Sequence, residues 1–199
     1  LKSPDVPVKV KDFVITGASK RGWTTWLTAA ADPRVAAIAP IVIDVLNIDV
    51  QMEHHRGVYG FFSQAIEDYD NLRVFHYFDT PRGQALLQMV DPYEYRERLT
   101  MPKLIINSTG DEFFLPDSAQ FYFRDLLGEK YLTYVPNSNH GLGGYENALM
   151  LIAPWYRSLI DPEKQRPRFA WTVENEGRIV VQVQDAPSQV LLWTAKSAN

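Results

Sequence analysis

The chain has 199 residues, 46% of them hydrophobic and 22% charged, with no cysteine and a formal net charge of −4. A chain of this size buries enough apolar surface to fold without staples, and the missing cysteines exclude disulfides, thiolate nucleophiles and cysteine-bound zinc. The mildly acidic balance, with no basic run longer than two residues, argues against nucleic acid as a partner, which wants a clustered basic face, and no apolar run reaches the ~20 residues that a membrane helix needs.

In chain order, residues 11–17 (KDFVITG) form a short apolar run ending in glycine, which reads as a buried strand. Residues 20–31 (KRGWTTWLTAAA) follow as a helix that Asp32-Pro33 ends. Trp23 and Trp26 on that helix are expected in the core. Residues 35–43 (VAAIAPIVI) read as a second buried strand, with Pro40 suggesting that it begins late. Residues 44–100 are less regular and rich in aromatics; their rings are expected mainly in the core, some lining a pocket as a lid. Residues 91–99 look helical, with Pro92 in the first turn. Residues 103–108 (KLIINS) are a third strand and 116–127 a helix that Gly128 closes. Residues 131–135 (YLTYV) are a fourth strand and 144–159 a last amphipathic helix.

Strand and helix thus alternate from 11 to 160, the pattern of a parallel sheet covered by helices. After Asp161-Pro162 the texture changes. RFAWTVENEG, RIVVQVQ and QVLLWTA read as three short strands of an appended antiparallel β module over 161–199.

In open α/β sheets, ligands bind beyond the carboxyl ends of the strands. The four loops at those ends hold Ser19, Asp44, Asp111 and His140 in turn. These are the residue types that acyl transfer needs. A serine hydroxyl is a weak nucleophile until an imidazole takes its proton, and the imidazole needs a carboxylate to hold its tautomer. The order Ser, Asp, His is that of α/β-hydrolases. Ser19 taken alone reads more readily as a helix N-cap; Asp111 and His140 at later strand ends reverse that towards a nucleophile. Asp111 is preferred as the acid because Gly110 lets its loop turn and the histidine segment follows. Asp44 stays as the alternative acid.

The elbow reads Gly17-Ala18-Ser19-Lys20-Arg21-Gly22, so Arg21 stands where G-x-S-x-G has its second glycine. The Lys20 N–H is the expected oxyanion donor. The Lys20 and Arg21 side chains oppose the helix dipole, which suggests a role towards an anionic substrate or the oxyanion. Glu53-His54-His55 does not read as a metal site, since adjacent helical residues point about 100° apart and no i, i+4 pair is present. No cofactor is implied. A nucleophile strand this close to residue 1 also implies that the first half of the sheet, and with it the second oxyanion donor, lies upstream of this chain.

GASKRGWTTWLTAA, DVLN, DPYEYRERLTMPKLIINSTGDEFFLPDS and YVPNSNHGL resemble the PhoPQ-activated pathogenicity-related protein family, and the likeness extends to QVLLWTA in the tail. The resemblance implies a secreted or periplasmic α/β-hydrolase-type protein with a longer N-terminal part, linked to bacterial virulence and antimicrobial-peptide resistance. Carried over by motif, the triad is Ser19, Asp111 and His140. The elbow is also similar, over a short stretch, to that of glucuronoyl esterases, which act on carbohydrate esters. The expected function is serine hydrolysis of a small-molecule, peptide or carbohydrate-ester substrate. The rival is a non-catalytic secreted protein on the same scaffold.

Overall fold

The computed structural model describes residues 9–194 apart from Pro162 and Gln165. The described chain forms two compact units that divide between Leu149 and Met150. The first is built on β1 (Phe13–Ala18), α1 (Lys20–Ala31), β2 (Val35–Ile41), β3 (Lys103–Ser108) and β4 (Lys130–Val135). The four strands form one sheet in the order β1-β2-β3-β4, parallel throughout. Parallel strands need covering on both faces, so β3 is buried at every position.

Trp26 is fully buried and heads a core that includes Ile38, Leu46, Leu99, Ile105 and Tyr122. Trp23 packs partly buried against it and donates its indole N–H to the Val90 carbonyl at 2.7 Å.

Pro40 does not delay β2, which starts at Val35. Ile38 and Val42 send their N–H groups towards β3, to the Pro102 and Ile106 carbonyls. Pro40 lies between them and has no proton to send. The β2–β3 ladder accordingly registers only at Ile38–Lys103 and Ile41–Ile106.

Between β2 and β3 the chain runs through α2 (Ile48–Tyr59), α3 (Glu67–Asn71), α4 (Val74–Tyr77), α5 (Pro81–Val90) and a 3-10 segment, Pro92–Arg98, where an α-helix was expected. Asp91 organises this region. Its carboxylate accepts the N–H groups of Ile48 at 2.7 Å, Tyr93 at 2.8 Å and Asn47 at 3.1 Å, capping α2 and the 3-10 segment at once. The aromatics divide: Phe78 and the partly buried Phe75 join the core, while Tyr59, Phe61, Tyr69 and Tyr77 are exposed.

The helix expected over 116–127 is instead two 3-10 turns, Ser118–Phe121 and Phe123–Asp125. Gly128 is therefore not a helix stop. Its φ is +70°, and a Cβ there would lie 2.1 Å from the Thr100 carbonyl oxygen. Two lysines take up carbonyls that a helix would have used: Lys103 Nζ donates to Leu127 at 2.6 Å, and Lys130 Nζ to Leu126 at 2.6 Å and Arg124 at 2.9 Å.

The last helix, α6 (Tyr145–Ile160), spans the division between the units. The second unit carries β5 (Phe169–Val173) and β6 (Ile179–Val183), paired antiparallel. Phe169, Trp171 and Val173 pair with Val183, Val181 and Ile179, so one face of the hairpin is wholly apolar. QVLLWTA forms no third strand over its described residues 189–194. Among the described residues no helix is long and apolar enough to cross a membrane.

Candidate active site

Ser19 is the single residue between β1 and α1, with φ 53° and ψ −126°. Positive φ is rare for a residue with a Cβ and is held only where the surroundings enforce it. Here the Ser19 N–H donates to the Ile41 carbonyl at 2.8 Å, and its own carbonyl accepts from Trp23 at 3.0 Å. Two glycines let the turn close. A Cβ on Gly17 would lie 2.5 Å from the Arg21 carbonyl oxygen, and one on Gly22 would lie 2.3 Å from Ile43 Cγ2. Arg21 is tolerated in place of glycine because the close contacts fall on its backbone and on Gly22. The Ser19 side chain makes no cap hydrogen bond, so Ser19 is not an N-cap in the side-chain sense.

The Ser19 hydroxyl instead meets His140 Nε2 at 2.8 Å. On the other side of the ring, His140 Nδ1 lies 2.9 Å from Asp111 Oδ2 and 3.0 Å from Oδ1. A carboxylate accepts only, so Nδ1 carries the proton and Nε2 is left to accept the serine O–H. Asp111 is nearly buried, and its Oδ1 also accepts the Phe113 N–H at 2.9 Å and the Phe114 N–H at 3.3 Å. Phe113 packs on the imidazole with ring centroids 4.3 Å apart.

The loops after β3 and β4 are zipped together. Gly110 N–H donates to the Ser138 carbonyl at 2.9 Å, and Asn137 N–H to Thr109 Oγ1 at 2.9 Å. Gly110 is required less for a sharp turn than for this approach, since a Cβ there would lie 3.0 Å from the Ser138 carbonyl oxygen. Glu112, which the sequence reading passed over, accepts the His140 backbone N–H at 3.0 Å, and that bond lowers its pKa.

Asp44 is placed apart from this chain of contacts. It is 2% exposed, and its carboxylate accepts the Tyr122 O–H rather than anything from His140. Burial pushes its carboxyl up to about 7. Lys20 occupies the first position of α1, where a backbone N–H has no intrahelical acceptor. The Lys20 and Arg21 side chains are exposed and form no ion pair among the described residues. His54 and His55 serve separate partners: His54 Nε2 faces Asp117 at 3.0 Å, and the buried His55 Nε2 accepts the Ser63 N–H at 3.0 Å. No metal-holding cluster occurs among the described residues.

The family described as PhoPQ-activated pathogenicity-related protein matches residues 2–199. Autocrine proliferation repressor protein A of Dictyostelium discoideum is 43% identical over 195 residues, covering 93% of this chain and 40% of that protein. The chain thus spans about 40% of the length of this relative. Among solved structures, an acetyl xylan esterase from Paenibacillus sp. R4 superposes with TM-score 0.56 at 18% identity, over 72% of this chain and 45% of that one. The acylaminoacyl peptidase of Pyrococcus horikoshii superposes with TM-score 0.53 at 15% identity, over 77% of this chain and 24% of that one. With the parallel sheet, these likenesses identify the fold as α/β-hydrolase.

Proposed function

The chain belongs to the PhoPQ-activated pathogenicity-related protein family, and from that footing we propose that it is the catalytic part of a serine hydrolase acting on an ester, amide or peptide carbonyl. The supporting observation is the unbroken contact from Ser19 Oγ through His140 to Asp111, on a serine whose backbone is strained. Ser19 attacks the carbonyl carbon while His140 Nε2 takes the hydroxyl proton. Asp111 holds the imidazole in place and balances the imidazolium. The Lys20 N–H donates to the oxyanion. The imidazolium then protonates the leaving group, and water, deprotonated by the same His140, releases the acyl group from Ser19. Lys20 and Arg21 add positive charge beside the nucleophile and draw anionic groups towards it. The family likeness carries the further expectation of a secreted or periplasmic protein with a link to virulence.

Turnover of p-nitrophenyl acetate tests this. The folded chain should hydrolyse it, with Ser19→Ala and Asp111→Asn each losing about a thousandfold or more in kcat/KM. Turnover unchanged in Ser19→Ala would overturn the assignment. A second reading is favoured by one relative, whose name describes a proliferation repressor. On that reading the chain is a non-catalytic secreted signal on a hydrolase scaffold. A growth-repressing effect retained in full by Ser19→Ala would support it.

A further inference from the structure

His140 rides on a loop whose backbone is not at ease. Asn137 and Leu142 hold φ of 52° and 60°, and Gly143 and Gly144 follow at 66° and 130°. A residue with a Cβ keeps such a conformation only where its surroundings enforce it. Ser138 and Leu142 are buried on either side of the histidine. Between them the loop bonds to itself: Asn139 Oδ1 accepts the Gly141 N–H at 3.0 Å, and the Asn139 carbonyl accepts the Leu142 N–H at 2.9 Å. Among the described residues, hydrogen bonds from outside the loop reach residues 139–141 only at His140. Apart from Ser19 itself, they come from two neighbouring carboxylates. Asp111 takes the ring through Nδ1 at 2.9 Å, and the exposed Glu112 accepts the main-chain N–H on Oε2 at 3.0 Å. The Gly110–Ser138 and Thr109–Asn137 bonds act two and three residues before the ring.

We propose that Glu112 is a positioning residue of the active site: by holding the His140 main chain it sets Nε2 against Ser19 Oγ. This rests on the hydrolase reading of Ser19 and His140. The bond to Asp111 is a pivot, about which the ring can still swing as the loop shifts. A second hold, on the backbone of the same residue, removes that freedom and keeps Nε2 at 2.8 Å from the hydroxyl. Nε2 must take a proton from Ser19 and then reach the leaving group, and a misplacement of about 1 Å costs on the order of a hundredfold. Glu112 itself exchanges no proton and touches no reacting atom. What it supplies is an acceptor at the right reach, strengthened by its charge. A mere staple between the loops would instead affect stability and leave the turnover of the folded protein alone.

The test is steady-state hydrolysis of p-nitrophenyl acetate by the folded chain. Glu112→Ala should lower kcat about 10- to 100-fold, with KM held within about twofold. Glu112→Gln, whose amide oxygen can accept the same N–H, should bring kcat back to within about threefold of the wild type. Thr109→Val removes the neighbouring loop bond and is the comparison; it should lose stability with kcat held within about twofold. An unchanged kcat in folded Glu112→Ala overturns the proposal, as does a glutamine variant no better than the alanine one, or an equal loss of kcat in Thr109→Val. Should Glu112→Ala fail to fold, Glu112→Asp replaces it, keeping the charge and shortening the reach. kcat must then fall in the aspartate variant and hold in the glutamine one, and any other order overturns the proposal. The His140 Nδ1–H resonance, assigned by its loss in His140→Gln, is read without turnover. It should exchange with water faster in Glu112→Ala than in the wild type and Glu112→Gln, and equal exchange in all three overturns the proposal. Absent ester turnover in the wild type speaks against the hydrolase reading alone, since this resonance still reports what Glu112 holds.

Discussion

Ser19 carries the clearest residue-scale consequence. Its φ of 53° and ψ of −126° lie where glycine is at ease and serine is not. Ser19→Gly should therefore raise stability by about 1 kcal/mol, read as a higher urea midpoint, while ester turnover disappears. A variant that is both inactive and less stable would contradict the strain. This strain was only half legible in the sequence. The order Ser, Asp, His pointed to the contact with His140, but Arg21 in place of a glycine obscured the elbow. The missing clue was steric: what Gly17 avoids is the Arg21 backbone, and Gly22 takes the packing position against Ile43. Glu112 was missed because a carboxylate that accepts a backbone N–H from a distant loop has no local signature.

At the scale of elements, the four parallel strands and the first helix followed directly from apolar runs and proline or glycine boundaries. The 3-10 segments did not. Residues 116–127 have helical periodicity, yet Lys103 and Lys130 draw the carbonyls of Arg124, Leu126 and Leu127 out of a helical pattern. Those lysines are tertiary partners from β3 and β4, invisible to a local reading. Asp91 is the sharpest test of element assembly. Removing its carboxylate in Asp91→Ala leaves the N–H groups of Asn47, Ile48 and Tyr93 without their acceptor. The loss should be about 2–4 kcal/mol in a urea titration. Glycines give a paired contrast. Gly17→Ala must push against the Arg21 backbone and should cost about 2 kcal/mol or more. Gly57→Ala, inside α2 with nothing within 4 Å of its Cβ, should stabilise by about 0.5–1 kcal/mol. Equal thermal shifts in the two variants would refute the packing described for the elbow.

At the scale of the whole molecule, buried carboxyls set how stability follows pH. Burial raises both Asp44, to about 7, and Asp91. An unfolded aspartate releases its proton near ~4, so between about pH 4 and 7 the folded chain holds protons that the unfolded chain has lost. Stability is then full below about pH 4 and falls as pH rises towards 7. Asp32 and Asp185 shift the opposite way, to about 2, but both lie at the surface in solvent-screened pairs with Arg34 and Arg168. Urea denaturation across pH 4 to 8 should show the decline, and Asp44→Asn should flatten it by up to about 1.4 kcal/mol per pH unit. A slope identical in the two proteins would show that Asp44 is ionised throughout.

The central claim is that Ser19, held by His140 and Asp111, is a nucleophile. A fluorophosphonate probe followed by peptide mass spectrometry addresses it without any choice of substrate. The probe should add to the peptide bearing Ser19, vanish in Ser19→Ala, and slow by orders of magnitude in folded His140→Ala. No adduct on Ser19 in the folded protein, or an adduct that forms equally fast without His140, would contradict it.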